Sequence, residues 1–178
     1  VGAGVVHHRA VPAKSGGTAR RTIAVKRPTG QMYRHVSRFP VGSHKQAQAH
    51  GAGAYVIVMS GEGFSLMWPE SEKPKRYEWR EGTLITPPNM WFHQHFNTGT
   101  TPARYLAFKQ EGVAIRNAQG VPKAWISKRV GGDQIDYADE AAEVRQWFAE
   151  ALSRHGLKSR MEEAYKAELA ELPPKIFQ

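Results

Sequence analysis

The sequence contains no cysteine. That excludes a disulfide framework, a thiolate zinc site, an iron–sulfur cluster and a cysteine nucleophile, and leaves imidazole, carboxylate and amide groups to hold any metal. No stretch approaches the roughly 18 consecutive apolar residues of a membrane-spanning helix. The opening VGAGVVHHRAVPAKS is too short and too polar for a secretory signal, so a soluble, cytoplasmic protein without membrane contact is expected. Val1 stands where a Met would start a nascent chain, as in a processed chain or one half of a longer polypeptide.

Acidic residues are absent from positions 1 to 38, which carry Arg9, Lys14, Arg20, Arg21, Lys26, Arg27, Arg34 and Arg38. The remainder holds all 16 acidic groups against 17 basic ones, so the net charge of +9 belongs to an N-terminal arm rather than to the body. Aromatic residues that would stack on bases are also missing before Tyr33. The arm reads as a solvated basic extension, and nucleic acid is not the expected partner.

What is present falls into three zones, and 178 residues suffice for one domain with a substantial core. Residues 1–31 are rich in Gly, Ala, Pro and Arg and read as an extended arm or linker, with a short strand at Thr22 to Val25. From residue 32 to about 130, short β-branched and aromatic runs recur between Gly and Pro: Ala54 to Met59, Phe64 to Trp68, Arg76 to Trp79, Thr83 to Thr86, Trp91 to Phe96 and Tyr105 to Lys109. Strands at that spacing predict an all-β sandwich or barrel. Gly61, Gly63 and Gly82 mark its turns, and Pro87 and Pro88 hold a loop extended.

Residues 131–178 form a helical tail. Asp139 is the expected N-cap of a first helix with Val144, Phe148 and Leu152 on one stripe, stopped at Gly156. Met161, Tyr165, Leu169 and Leu172 form the stripe of a second, ended by Pro173. Packing against the outside of the barrel is the expected use of both stripes, with docking onto a partner subunit as the alternative.

Histidine placement carries the chemistry. His7 and His8 lie in the arm and His155 on the polar side of a helix, but His44 and His50 precede one strand while His93 and His95 lie within another. Residues i and i+2 of a strand share a face, so His93, His95 and Asn97 project together. Neutral imidazole is a favoured ligand for Fe, Mn, Ni, Cu and Zn.

The residues around these histidines carry a resemblance. Gly42 to Gly61 (GSHKQAQAHGAGAYVIVMSG) resembles the first cupin motif, with Gly42, Gln48, His50, Ala54 and Gly61 at its opening glycine, first ligand, histidine, carboxylate and closing glycine. Gly82 to Asn97 (GTLITPPNMWFHQHFN) resembles the second motif at Gly82, Pro88, His93 and Asn97, with Met90 where a glycine is usual. The resemblance implies a cupin double-stranded β-helix, a jelly-roll barrel, to which the arm and the helices are added.

Metal cupins take two His and a Glu from the first motif and a His from the second, whereas here Gln48 and Ala54 replace a His and the Glu. The resemblance thus implies a metal held by His50 and His93 and completed by the amide oxygen of Gln48, by His95, or by His44. Two imidazoles alone would leave most of the coordination sphere to water. The implied ion is a divalent transition metal, Fe(II) first, with Mn, Ni, Cu or Zn also compatible. The implied activity is dioxygenase-like oxidation of a small organic acid, aromatic acids included. Tyr55, Trp91 and Tyr105 are the candidate substrate wall, with Arg104 as a clamp for a carboxylate. The alternative is a metal-free or degenerate cupin, a small-molecule-binding or structural half of a two-barrel protein. The expected partner is a second copy, in a homodimer, or a second cupin domain.

Overall fold

The computed structural model describes residues 21–25, 32–110 and 114–174. Most of the basic arm therefore lies outside the described residues. Within it, β1 (Arg21–Val25) runs antiparallel to β2 (Met32–Phe39), where the sequence predicts a short strand. The chain continues through β3 (Ala47–Gln48), β4 (Tyr55–Ser60), β5 (Glu62–Trp68), β6 (Lys75–Arg80), β7 (Leu84–Ile85), β8 (Phe92–Asn97) and β9 (Ala103–Gln110). A two-residue strand, β10 (Gln134–Ile135), lies inside the segment assigned to the tail and pairs with β3 instead.

Two five-stranded antiparallel sheets result, in the orders β1-β2-β9-β4-β7 and β10-β3-β8-β5-β6. This is the cupin jelly roll that the two motifs imply. Gly61 and Gly82 turn the chain with φ of +87° and +83°, in the left-handed region that glycine enters without steric cost.

Strand alternation decides what faces inward. On β9, Ala103, Tyr105 and Ala107 are buried while Arg104 is exposed; on β4, Val56 and Val58 are buried while Tyr55, Ile57 and Met59 are exposed. The inward residues of the first sheet meet Met67 and Trp79 of the second in the apolar interior of the barrel.

The central strands β5 and β8 of the second sheet are buried on both faces, and every residue of β8 is buried. The outer face of this sheet, with Phe64, Leu66, Trp68, Phe92 and Phe96, is covered by the tail. Helix α1 (Ala142–Ser153) lays Val144, Phe148 and Leu152 on that face, so its stripe packs on the barrel as expected. Burying each such Phe or Leu contributes about 1.5–3 kcal/mol.

Two details of the tail differ from the sequence reading. Asp139 is not the N-cap of α1, which begins after Ala141; its carboxylate instead accepts from Arg129 Nε (2.5 Å) and Nη2 (2.8 Å). In helix α2 (Glu162–Glu171), Leu169 is 62% exposed, and Ala164 and Glu168 occupy the buried side. Glu168 takes the place of the expected leucine because its carboxylate accepts from Gln46 Nε2 (2.6 Å) and from the Ala138 backbone N–H (3.0 Å).

Candidate functional site

Two loops are clasped together at one end of the barrel. The backbone N–H of Met90 donates to the carbonyl of His50 (3.1 Å), and that of Ala52 donates to Asn89 Oδ1 (2.8 Å). Met90 holds φ +60° at the position where the second cupin motif has glycine. The clasp brings the end of the first motif beside the start of β8 and fixes where His50 stands relative to His93.

The two imidazoles meet edge to face, with ring centroids 4.6 Å apart and planes at 83°. His93 Nδ1–H donates to the carbonyl of Trp91 (3.1 Å), which sets the ring's orientation and leaves the lone pair on Nε2. The Nζ of Lys109, at the inward end of β9, donates to His50 Nε2 at 2.7 Å. A neutral imidazole that accepts at Nε2 carries its own proton on Nδ1.

Among the described residues, lysines act on this pair. Burial lowers the pKa of His50 to about 4, helped by the charge of Lys109. Burial also holds His93 well below its ordinary value, reinforced by His50, Lys109 and Lys45. Both rings are therefore neutral at pH 7. Lys45 points the same way, its ammonium 4.1 Å from the ring of Tyr105 and 5.6 Å from that of Phe39.

The remaining candidates divide. Gln48 pairs with His93 across the sheet and so shares its face, but its Nε2 donates to Gln134 Oε1 at 3.0 Å. His95 lies 5.8 Å from His93 and 5.6 Å from Tyr105, ring to ring, and its Nδ1 hydrogen-bonds Ser65 Oγ at 2.7 Å. Tyr105 is buried in the barrel and Trp91 packs against the same interior. Tyr55 and Arg104 do not join them: Tyr55 is 61% exposed and Arg104 is exposed, both on outward positions of their strands. His44 turns away too, stacking on Phe96 beneath the tail.

Among the described residues, no three His, Asp or Glu groups come together to hold a metal ion. A divalent ion does not fit the side chains as they stand. The carboxylate position is Ala54, and Lys109 puts an ammonium on the lone pair of His50 that a metal would need. Lys109 and Lys45 were missed in the sequence. Lys109 had a signal, since it continues the inward row Ala103, Tyr105, Ala107 at period two. Lys45, in an irregular segment before β3, had none.

No protein-family model matches the chain, and no curated protein sequence matches it. Its fold has solved relatives. A mutant of Bacillus subtilis oxalate decarboxylase superposes with a TM-score of 0.50 at 11% identity, covering 57% of this chain and 27% of that one. The capsular polysaccharide assembling protein CapF from Staphylococcus aureus gives 0.48 at 14% identity, over 61% of this chain and 31% of that one. Fe(II)-HppE with an alternative substrate gives 0.44 at 17% identity, over 51% and 49%. The chain thus spans about a quarter of the oxalate decarboxylase it matches. At such identities a likeness speaks for architecture alone, and that to oxalate decarboxylase agrees with the two motifs: the chain has the cupin fold.

Proposed function

We propose that the protein is a cupin-type enzyme that takes a small organic acid into the barrel against His50 and His93. The observation that carries this reading is the buried edge-to-face imidazole pair with the ammonium groups of Lys109 and Lys45 among its charged neighbours. A carboxylate entering such a site regains in charge-assisted hydrogen bonds what it loses in hydration. Tyr105 and Trp91 supply apolar wall for the carbon skeleton.

The chemistry open to these residues is proton transfer. His93 is neutral at pH 7 with its lone pair on Nε2, so it can accept a proton from a carbon or hydroxyl beside the bound carboxylate, while His50 is held by Lys109, and the imidazolium formed is offset by the substrate's negative charge. Dioxygen chemistry would need a redox metal with open positions, and the present donors do not supply its ligand set.

A second reading is a binding module without catalysis. The Gln48 and Ala54 positions favour it, since both have lost the donors that metal cupins use. One experiment separates the two. The full chain is mixed with acetate, oxalate, pyruvate, lactate and benzoate, and binding and consumption are followed by NMR with and without added Fe(II) and oxygen. Turnover of an acid that is lost in His50→Gln supports the enzyme; binding without turnover supports the module; absence of any binding overturns both.

A further inference from the structure

We infer that Lys109 supplies the positive charge of this barrel in the place where metal cupins hold a divalent ion, so that the site recognises a carboxylate directly and excludes divalent metal. The inference deepens the reading of an organic-acid site and rests on it.

A metal at this site would require a set of donors around it. His50 and His93 occupy two of the ligand positions of the cupin motifs, and their rings are close enough to share an ion. The other two motif ligands are gone: the carboxylate position is Ala54, and the remaining histidine position is Gln48, which is tied to Gln134. In exchange, β9 delivers a lysine whose ammonium sits 2.7 Å from His50 Nε2, donating into the lone pair that would coordinate. A divalent ion there would have to displace an ammonium from the His50 lone pair, at a site where the motif's carboxylate position is Ala54. An ammonium also does for an anionic substrate part of what an ion does. It draws the carboxylate in and neutralises charge, without offering open coordination positions.

Register makes the substitution specific. Lys109 lies on β9 at the inward phase set by Tyr105 and Ala107, so its stem runs along the barrel wall rather than out to solvent. Lys45 adds a second cation from the opposite sheet, close enough to depress His93 further.

The test uses Co(II), whose visible bands report coordination independently of activity. The full-length wild type, Lys109→Met and Lys109→Glu are titrated with Co(II), and bound metal is counted by elemental analysis. Lys109→Glu places a carboxylate beside His50 and His93, recreating a two-histidine, one-carboxylate set. The expected result is no stoichiometric Co(II) on the wild type, one Co(II) per chain with visible absorption on Lys109→Glu, and loss of that ion when His93→Gln is added. Stoichiometric Co(II) on the wild type that disappears in His93→Gln overturns the inference, as does a folded Lys109→Glu that binds none. Should Lys109→Glu fail to fold, Lys109→Met decides: affinity for Co(II) at least about tenfold above wild type supports the inference, and unchanged affinity overturns it. Organic-acid binding by the wild type without metal is measured separately, so the wider reading can fail or survive whatever Co(II) does.

Discussion

The imidazole of His44 stacks on the ring of Phe96, centroids 4.6 Å apart, on the opposite face of the second sheet from His93. Its Nε2 hydrogen-bonds Tyr165 Oη at 2.9 Å, and Phe148 meets it edge on at 5.0 Å. This histidine joins barrel to tail and stands apart from the His50–His93 pair. His44→Ala should therefore cost about 2–4 kcal/mol, from the lost packing and the stranded tyrosine hydroxyl. Urea unfolding would show the loss, while organic-acid affinity of the folded fraction stays within twofold of wild type. A large drop in affinity at unchanged stability would place His44 in the site after all.

Acid and base act on this joint through Glu140, whose side chain is buried and accepts from Gln94 Nε2 on β8. Burial raises its pKa to about 8, against the opposing effects of Gln94 and Arg145. Between the ordinary value of 4.5 and about 8, the folded protein keeps a proton that the unfolded chain has released. Stability from this group is therefore full below about pH 4.5 and is lost as pH rises toward 8. His44 works in the other direction. Burial lowers its pKa to about 4, so its contribution is full above 6.5 and is lost as pH falls toward 4. Glu140→Gln removes the first dependence and keeps an acceptor for Gln94. Its melting temperature should fall less than that of wild type between pH 6 and 8, and parallel curves would show that Glu140 is already ionised in the native state.

Strain at the clasp offers a stabilising change. Met90 adopts φ +60° at the motif's glycine position, a conformation that costs a residue with a Cβ about 1 kcal/mol or more. Met90→Ala loses the side chain and keeps the strain; Met90→Gly loses both. The glycine variant should exceed the alanine variant by about 1 kcal/mol, or roughly 2–4 °C in Tm for a chain of this size. The reverse order in a melting experiment would mean that the backbone at residue 90 is not left-handed in solution.

Much of this architecture was legible because its signals are local and physical. Glycines at forced turns, prolines in an extended loop and histidines two apart on a strand fixed both motifs, and β4, β5, β8 and β9 fall where apolar runs predict them. The pairing of His50 with His93 followed from the motif spacing. What the sequence concealed was strand phase and length. Tyr55 and Arg104 lie one residue out of step with Val56 and Tyr105, which is enough to send them to the opposite face. A lysine reads as a solvated residue until its strand neighbours show it facing inward, so Lys109 passed unnoticed. β10, two residues long, has no periodicity to detect.

Strand phase gives adjacent positions on β9 opposite roles. Tyr105 is buried against the interior, with the Lys45 ammonium over its ring at 4.1 Å, whereas Arg104 beside it points outward. If the ligand enters the barrel, removing the outer residues should be nearly silent. Arg104→Ala and Tyr55→Ala should each leave binding of an organic acid within about twofold and stability within about 0.5 kcal/mol. Tyr105→Ala should weaken binding at least about tenfold, because it removes the wall on which Lys45 rests and opens the interior to water. Tyr105→Phe separates the two contributions. It keeps the aromatic face for Lys45, so affinity near wild type identifies the ring as the important part, and affinity as poor as the alanine variant assigns the role to the hydroxyl. Calorimetric titration of the four variants measures all of this, and a larger loss at Arg104 than at Tyr105 would put the ligand on the outer face of the sheet and end the barrel-interior reading.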